Sequence, residues 1–354
     1  MANLLIRGGR LFDGDAFSDA DILVADGVVA QIAPNIDAQA NTVFDARGMT
    51  VTPGLVDGHM HIGGLSPERW AAPAQAACWP FGVTAAADCS AVHGSRDTFD
   101  VLGVHAAVYV LAGTRGQQAL LEETEKMLAH YGDYAVGVKV CYDKNDDPTL
   151  CSTRPLEQIC EFAHSRGLRV HVHTTGAPIP MADILGTLCK GDIATHVYHG
   201  TENNVTRDRF ASILEAKQRG VVIDAGFGGS WHVDFRIFAG AVAAGAQPDT
   251  ISTDVVKGTM YTKGGRYGLT QCMSMARTMG MTEETVLRGV TSAPADALGR
   301  PWGRLKTGAP ADIAVLKWEN DPFDLTDRAG NRLTSPMGYR CKLTVSQGNI
   351  VYKD

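Results

Sequence analysis

Apolar and polar residues alternate at every second position through much of residues 1–50, as in the stretch from Ala20 to Ile32, and that period belongs to β-strands with one buried face. Within it, Asp26-Gly27 carries the turn chemistry of a tight hairpin. From Leu55 to Asp254 the pattern changes to short apolar runs, each followed by a stretch of helical spacing, the alternation of a parallel α/β barrel. Eight barrel strands are predicted, over 55–61, 83–89, 105–111, 134–140, 168–174, 193–198, 221–226 and 249–254. Helices are predicted over 117–130, with Leu120, Leu121, Met127 and Leu128 among charged residues, and over 206–219, with Phe210, Ile213 and Leu214 at helical spacing. Thr282 followed by Glu283 and Glu284 marks the start of another helix over 282–289. After about residue 305 the strand pattern resumes. The predicted fold is α/β: a (β/α)8 TIM-like barrel over 51–304, with a small β-sandwich domain formed by both chain ends, 1–50 and 305–354.

One run adds chemistry to this pattern. In Asp57-Gly58-His59-Met60-His61 the strand period puts His59 and His61 on one face, where both imidazoles can reach one ion. A bare His-x-His fits two packing histidines equally well, so the context decides. Lys139 lies late in the fourth predicted strand, where an ammonium is costly to bury unless modified or paired. His173 ends the fifth, His196 lies in the sixth and Asp254 closes the eighth. Catalytic groups of such barrels sit at these C-terminal strand ends.

As a set, these residues resemble the amidohydrolase superfamily, whose members carry His-x-His on the first barrel strand, a lysine on the fourth, histidines on the fifth and sixth, and an aspartate on the eighth. The flanking runs 3–9 and 307–316 look like the same superfamily. Runs 191–196, 226–230 and 248–254 look like its dihydroorotase-like branch, which includes acetyl-mandelate deacetylases. The resemblance implies a binuclear metal-dependent hydrolase of small molecules that cleaves an amide, cyclic amide or ester bond. It implies that His59, His61 and Asp254 hold one divalent ion, zinc or else manganese, and that His173 and His196 hold the other. Lys139 would bridge them as its N6-carboxylated form, since an ammonium offers no lone pair. Asp254 would be the catalytic acid and base. His171 is assigned to core packing or to a position behind the ligands and His199 to the pocket wall, while His93, His105, His130, His164 and His232 read as surface or packing residues.

The chain departs from its relatives two residues beyond the lysine, where Cys141 stands in place of an arginine that pairs with a substrate carboxylate. Arg115, Arg154, Arg236 and Arg266 are candidate replacements, and Trp231, Tyr142, Tyr198 and Tyr261 are candidate aromatic walls. The expected substrate contacts are Cys141, Tyr142, His199, Trp231 and Arg266, with the glycine-rich run 258–268 as a lid or an ordinary loop.

Composition narrows the partners. A net charge of -7 gives no basic footprint for nucleic acid or an anionic membrane, and no apolar run is long enough to span a bilayer. The eight cysteines show no Cys-x-x-Cys spacing, and residues 1–7 read as a strand rather than a secretory signal, so a cytoplasmic protein with reduced thiols is expected. Whether copies associate into a homo-oligomer is left open. The competing readings are a lactonase or other ester hydrolase, and a non-catalytic relative that keeps the barrel for assembly.

Overall fold

The computed structural model describes residues 2–63, 70–91, 95–262 and 266–354. Seven parallel strands follow one another around the barrel in chain order: Leu55–Met60, Val83–Ala91, His105–Arg115, Ala135–Cys141, Arg169–His173, Ile193–Thr195 and Val222–Asp224. Every residue of Val83–Ala91 is buried, as a parallel strand covered on both faces requires. The third strand outgrows its neighbours and folds back as a hairpin onto Gln118–Leu120, which displaces the start of the next helix to Leu121–Tyr131. The helix expected over 206–219 is likewise shorter, Ala211–Gln218.

The eighth strand differs from expectation. Residues 249–254 form an isolated parallel bridge, Asp224 with Thr250, rather than a ladder strand. The segment nevertheless closes the barrel. On one side Ala225 N donates to Thr250 O at 3.0 Å and Phe227 N to Ser252 O at 3.2 Å; on the other Asp254 N donates to His59 O at 2.7 Å. Side chains supplement this sparse bonding. Asp224 accepts from the hydroxyls of Thr250 (2.7 Å) and Ser252 (2.6 Å), and Asp57 accepts from the Thr253 hydroxyl at 2.6 Å and its amide at 3.1 Å.

Both chain ends build the β-sandwich. One sheet orders Val28–Ala33, Asp21–Ala25, Ala2–Arg7 and Thr42–Asp45; Asp26 and Gly27 turn its hairpin with φ of 51° and 82°. The other orders Asn349–Lys353, Arg332–Ser346, Ile313–Thr326, Thr50–Pro53, Arg10–Phe12 and Phe17–Asp19. Leu4, Ile6, Ile22, Val24, Val315 and Leu343 belong to the core between them. The Ile313–Thr326/Arg332–Ser346 hairpin is much longer than the four-residue strand it borders, and its far end reaches back to the barrel: Ser230 donates to Thr326 O at 3.0 Å, and the Asp327 carboxylate accepts from Phe235 N at 2.8 Å.

A pair at the opposite, N-terminal end of the strands joins barrel and sandwich. His105 Nε2 lies 2.9 Å from Asp312 Oδ2, and its ring stacks on Trp302 at 5.8 Å. The hydrogen bond to Asp312 raises the His105 pKa above its ordinary value, against partial desolvation. A histidine raised in the fold adds stability that is complete below its unfolded value, about 6.5, and is lost as pH rises through the folded value. In urea unfolding, the wild type should therefore exceed His105→Gln by about 1 kcal/mol at pH 6, with the gap closing by pH 9. A gap that does not change with pH would show that the imidazole is neutral in the fold.

Candidate active site

The sixth-strand end and the barrel seam each carry a left-handed residue that is not glycine: His196 at φ 65° and Asp254 at φ 50°. Such conformations cost energy for a residue with a Cβ and gather where a side chain must be aimed. Here they aim both side chains at the barrel axis. Gly226, at φ 52°, leaves the space this needs, because a Cβ there would lie 2.3 Å from Thr195 Oγ1 and 2.4 Å from His196 Nδ1.

Asp254 lies among four imidazoles. Its Oδ1 is 3.1 Å from His61 Nε2 and 3.3 Å from His59 Nε2; its Oδ2 is 3.4 Å from His232 Nε2 and 3.8 Å from His196 Nε2. Ligand atoms of His59, His196 and Asp254 all fall within 4.8 Å of one another. His173 joins from the fifth strand, its ring 4.6 Å from that of His196 and 5.2 Å from that of His232. Lys139 Nζ lies 3.4 Å from His59 Nε2, and among the described residues no carboxylate pairs with it.

Hydrogen bonds fix the tautomers. Thr195 donates its hydroxyl proton to Asp224 at 2.7 Å, so it can only accept from His59 Nδ1 at 3.2 Å, and the His59 lone pair is left on Nε2. His196 Nδ1 donates to Gly226 O at 2.6 Å, leaving a buried Nε2 with no hydrogen-bond partner among the described residues. His173 donates from Nε2 to Thr175 O at 3.1 Å and keeps its Nδ1 lone pair. His61 Nδ1 is also buried and without a hydrogen-bond partner among the described residues. Burial holds His59, His173 and His196 well below the ordinary histidine value; the Lys139 charge adds to this at His59, and His232 at the other two. They are neutral at pH 7. Lone pairs of neutral imidazoles facing a carboxylate form a donor set that lacks only a cation, so the residues fit a divalent ion.

The other expected residues fall as follows. His171 is buried beneath the cluster, edge-on to His59 at 4.8 Å and to Tyr109 at 4.9 Å. Cys141 is half-buried, and desolvation pushes its thiol up to about 11, so it carries no charge. Tyr142 is withdrawn from the pocket wall: it is wholly buried and donates to the Ser152 carbonyl. Tyr198 is buried too, bonded to Ala246 O at 2.8 Å. Arg266 is exposed and pairs with Asp321 of the sandwich at 3.1 Å. His199 and the exposed Trp231 line a cavity of about 210 Å³ together with Val233 and Arg328. Part of the run 258–268, residues 263–265, and likewise His93, lie outside the described residues. A cavity of about 850 Å³ opens at the other end of the barrel around Thr84, His105 and Trp302, remote from these imidazoles.

Sequence reasoning missed His232. It follows the short turn Gly228–Ser230, outside any periodic element, and its one signal is proximity to the seventh strand's end. Its Nδ1 meets Thr175 Oγ1 at 3.0 Å. Burial lowers its pKa, opposed by Asp254 and assisted by the charges of Lys139 and Arg328.

Known proteins resemble this chain over nearly its whole length. A dihydroorotase from Anaeromyxobacter dehalogenans (strain 2CP-C) is 26% identical over 99% of this chain and 98% of its own, and a deacetylase from Enterococcus faecalis (strain ATCC 700802 / V583) is 25% identical over 98% of each. Among solved structures, a dihydroorotase superposes with a TM-score of 0.87 over 99% of both chains at 22% identity. An adenine deaminase superposes with 0.85 over 100% of both at 23%. The model of the amidohydrolase family matches residues 50–351, and the chain belongs to that family.

Proposed function

We propose that this protein is a binuclear metal-dependent hydrolase that cleaves an amide, cyclic amide or ester bond of a small molecule. The observation that carries the reading is the convergence of imidazoles from the first and sixth strand ends on the Asp254 carboxylate, with His173 of the fifth strand beside His196. His59, His61 and Asp254 would hold one divalent ion, zinc or manganese, and His173 and His196 the other. When bound, the ions would acidify a shared water and polarise the scissile carbonyl.

The chain's own groups do the rest. Asp254 accepts the proton of the attacking water and passes it to the leaving nitrogen or oxygen. Its backbone bond to His59 O holds the carboxylate between the two first-strand imidazoles while it does so. Lys139 bears on the assignment as well. A buried ammonium beside an imidazole and without a carboxylate is a costly arrangement, and carbon dioxide converts the amine into an anionic carbamate with two oxygen ligands, releasing one proton.

Loading the purified protein with zinc in the presence of bicarbonate should yield two ions per chain by elemental analysis and hydrolysis of at least one class among N-acyl amino acids, O-acyl hydroxy acids, cyclic imides, hydantoins and lactones. Asp254→Asn should keep most of the metal and lose turnover by about 10²- to 10⁴-fold; full turnover would remove Asp254 from the chemistry. Lys139→Ala should lose bound metal and regain part of it with millimolar propionate, whose carboxylate fills the vacated position. Undiminished metal binding in Lys139→Ala would rule out the bridging role. Two bound ions with no turnover on any class would place the substrate elsewhere, and no bound ions would favour the non-catalytic reading.

A further inference from the structure

Arg328 sits in the turn 327–331 at the end of the long sandwich hairpin, and that turn is built to be rigid. Asp327 accepts from Asn331 N and Phe235 N, both at 2.8 Å, and Asp327 N donates to Asn331 O at 3.0 Å. Gly330 supplies the positive φ, 87°, that the turn requires. With Ser230 bonded to Thr326 O, the turn is fastened to the barrel on both sides of His232, the residue that faces Asp254.

The guanidinium held there is exposed. Arg266, Arg304 and Arg332 each lie against a carboxylate, Asp321, Asp296 and Asp324 respectively, whereas Arg328 has no ion pair among the described residues. It lies 6.0 Å from the centre of the Trp231 ring, itself 61% exposed, and both line the cavity of about 210 Å³ beside His199. Asp234, also in that lining, has Oδ1 engaged by the amides of Arg236 and Ile237 at the start of a helix. A guanidinium fork on a braced turn, next to a flat aromatic surface, suits an anion with an apolar body, because the fork pairs with a carboxylate while the ring covers the hydrocarbon.

We infer that Arg328, carried to the mouth of the barrel by the sandwich hairpin, is the residue that selects substrates bearing a carboxylate, whose apolar part rests on Trp231. The inference rests on the hydrolase reading of the same site and locates the anion grip outside the barrel. Arg266, by contrast, is already paired with Asp321.

The test separates binding from turnover. Asp254→Asn protein, zinc-loaded, is titrated calorimetrically with N-acetylphenylalanine and with its carboxamide. The acid should bind at least tenfold more tightly than the amide. Adding Arg328→Ala should weaken the acid tenfold or more and leave the amide unchanged, which also reports that the variant is folded; Arg328→Lys should recover part of the loss. Equal affinities for acid and amide, an undiminished acid affinity in Arg328→Ala, or no binding of either ligand would overturn the inference. Arg328-dependent binding of the acid, with no acetate released by the wild type, would uphold the anion grip and show that the hydrolase reading fails for N-acetyl amino acids.

Discussion

The barrel is closed at one seam by a segment that lacks the regular ladder of a strand, and the placement of the site depends on how that closure is made. Residues 249–254 compensate with side chains. Thr250 and Ser252 bond Asp224 on the seventh strand, and Thr253 bonds Asp57 on the first. Two carboxylates beneath the site thus hold the seam in register, and Asp254 emerges above it with its amide on the His59 carbonyl. Burial is costly for such anions: desolvation raises Asp57 to about 7 and lifts Asp224 above the usual carboxylate range, although three hydroxyls oppose the shift at Asp224. The energy spent on burying these groups secures the position of a single carboxylate.

The same arrangement explains why buried imidazoles can gather without repelling one another. His59, His173 and His196 are neutral, and the tautomer of each is set from outside the cluster by a threonine hydroxyl or a backbone carbonyl. The lone pairs of these three therefore point inward because their outer nitrogens are already engaged.

Much of this was legible in the sequence, for identifiable reasons. His59 and His61 share a face because a strand has period two, and Lys139 and His173 come late in strands whose buried, β-branched runs are unmistakable. The seam was read as a strand because its residues are those of one, but hydroxyls took over bonds that a ladder would make. Tyr142 follows a strand end, yet its ring turned into the core, since sequence position fixes where the Cα lies and not which neighbour receives the hydroxyl. His232 and Arg328 were beyond reach for another reason. Both lie in turns without periodicity, and what brings Arg328 to the mouth is a hairpin contact between residues 230 and 326, a relation no local pattern encodes.

The sandwich drawn from both ends also sets an order of events for the growing chain. Thr50–Pro53 pairs with a strand that starts at Ile313, and Val28 bridges Pro310, so the first fifty residues find these partners only after some 260 more have been made. Contacts so distant along the chain close slowly, because loop entropy is lost before any pairing compensates for it. Until then, apolar strand faces such as Leu4, Ile6 and Val24 have no partner sheet and stay open to other chains, so crowded synthesis is a condition that exposes this protein to misassembly.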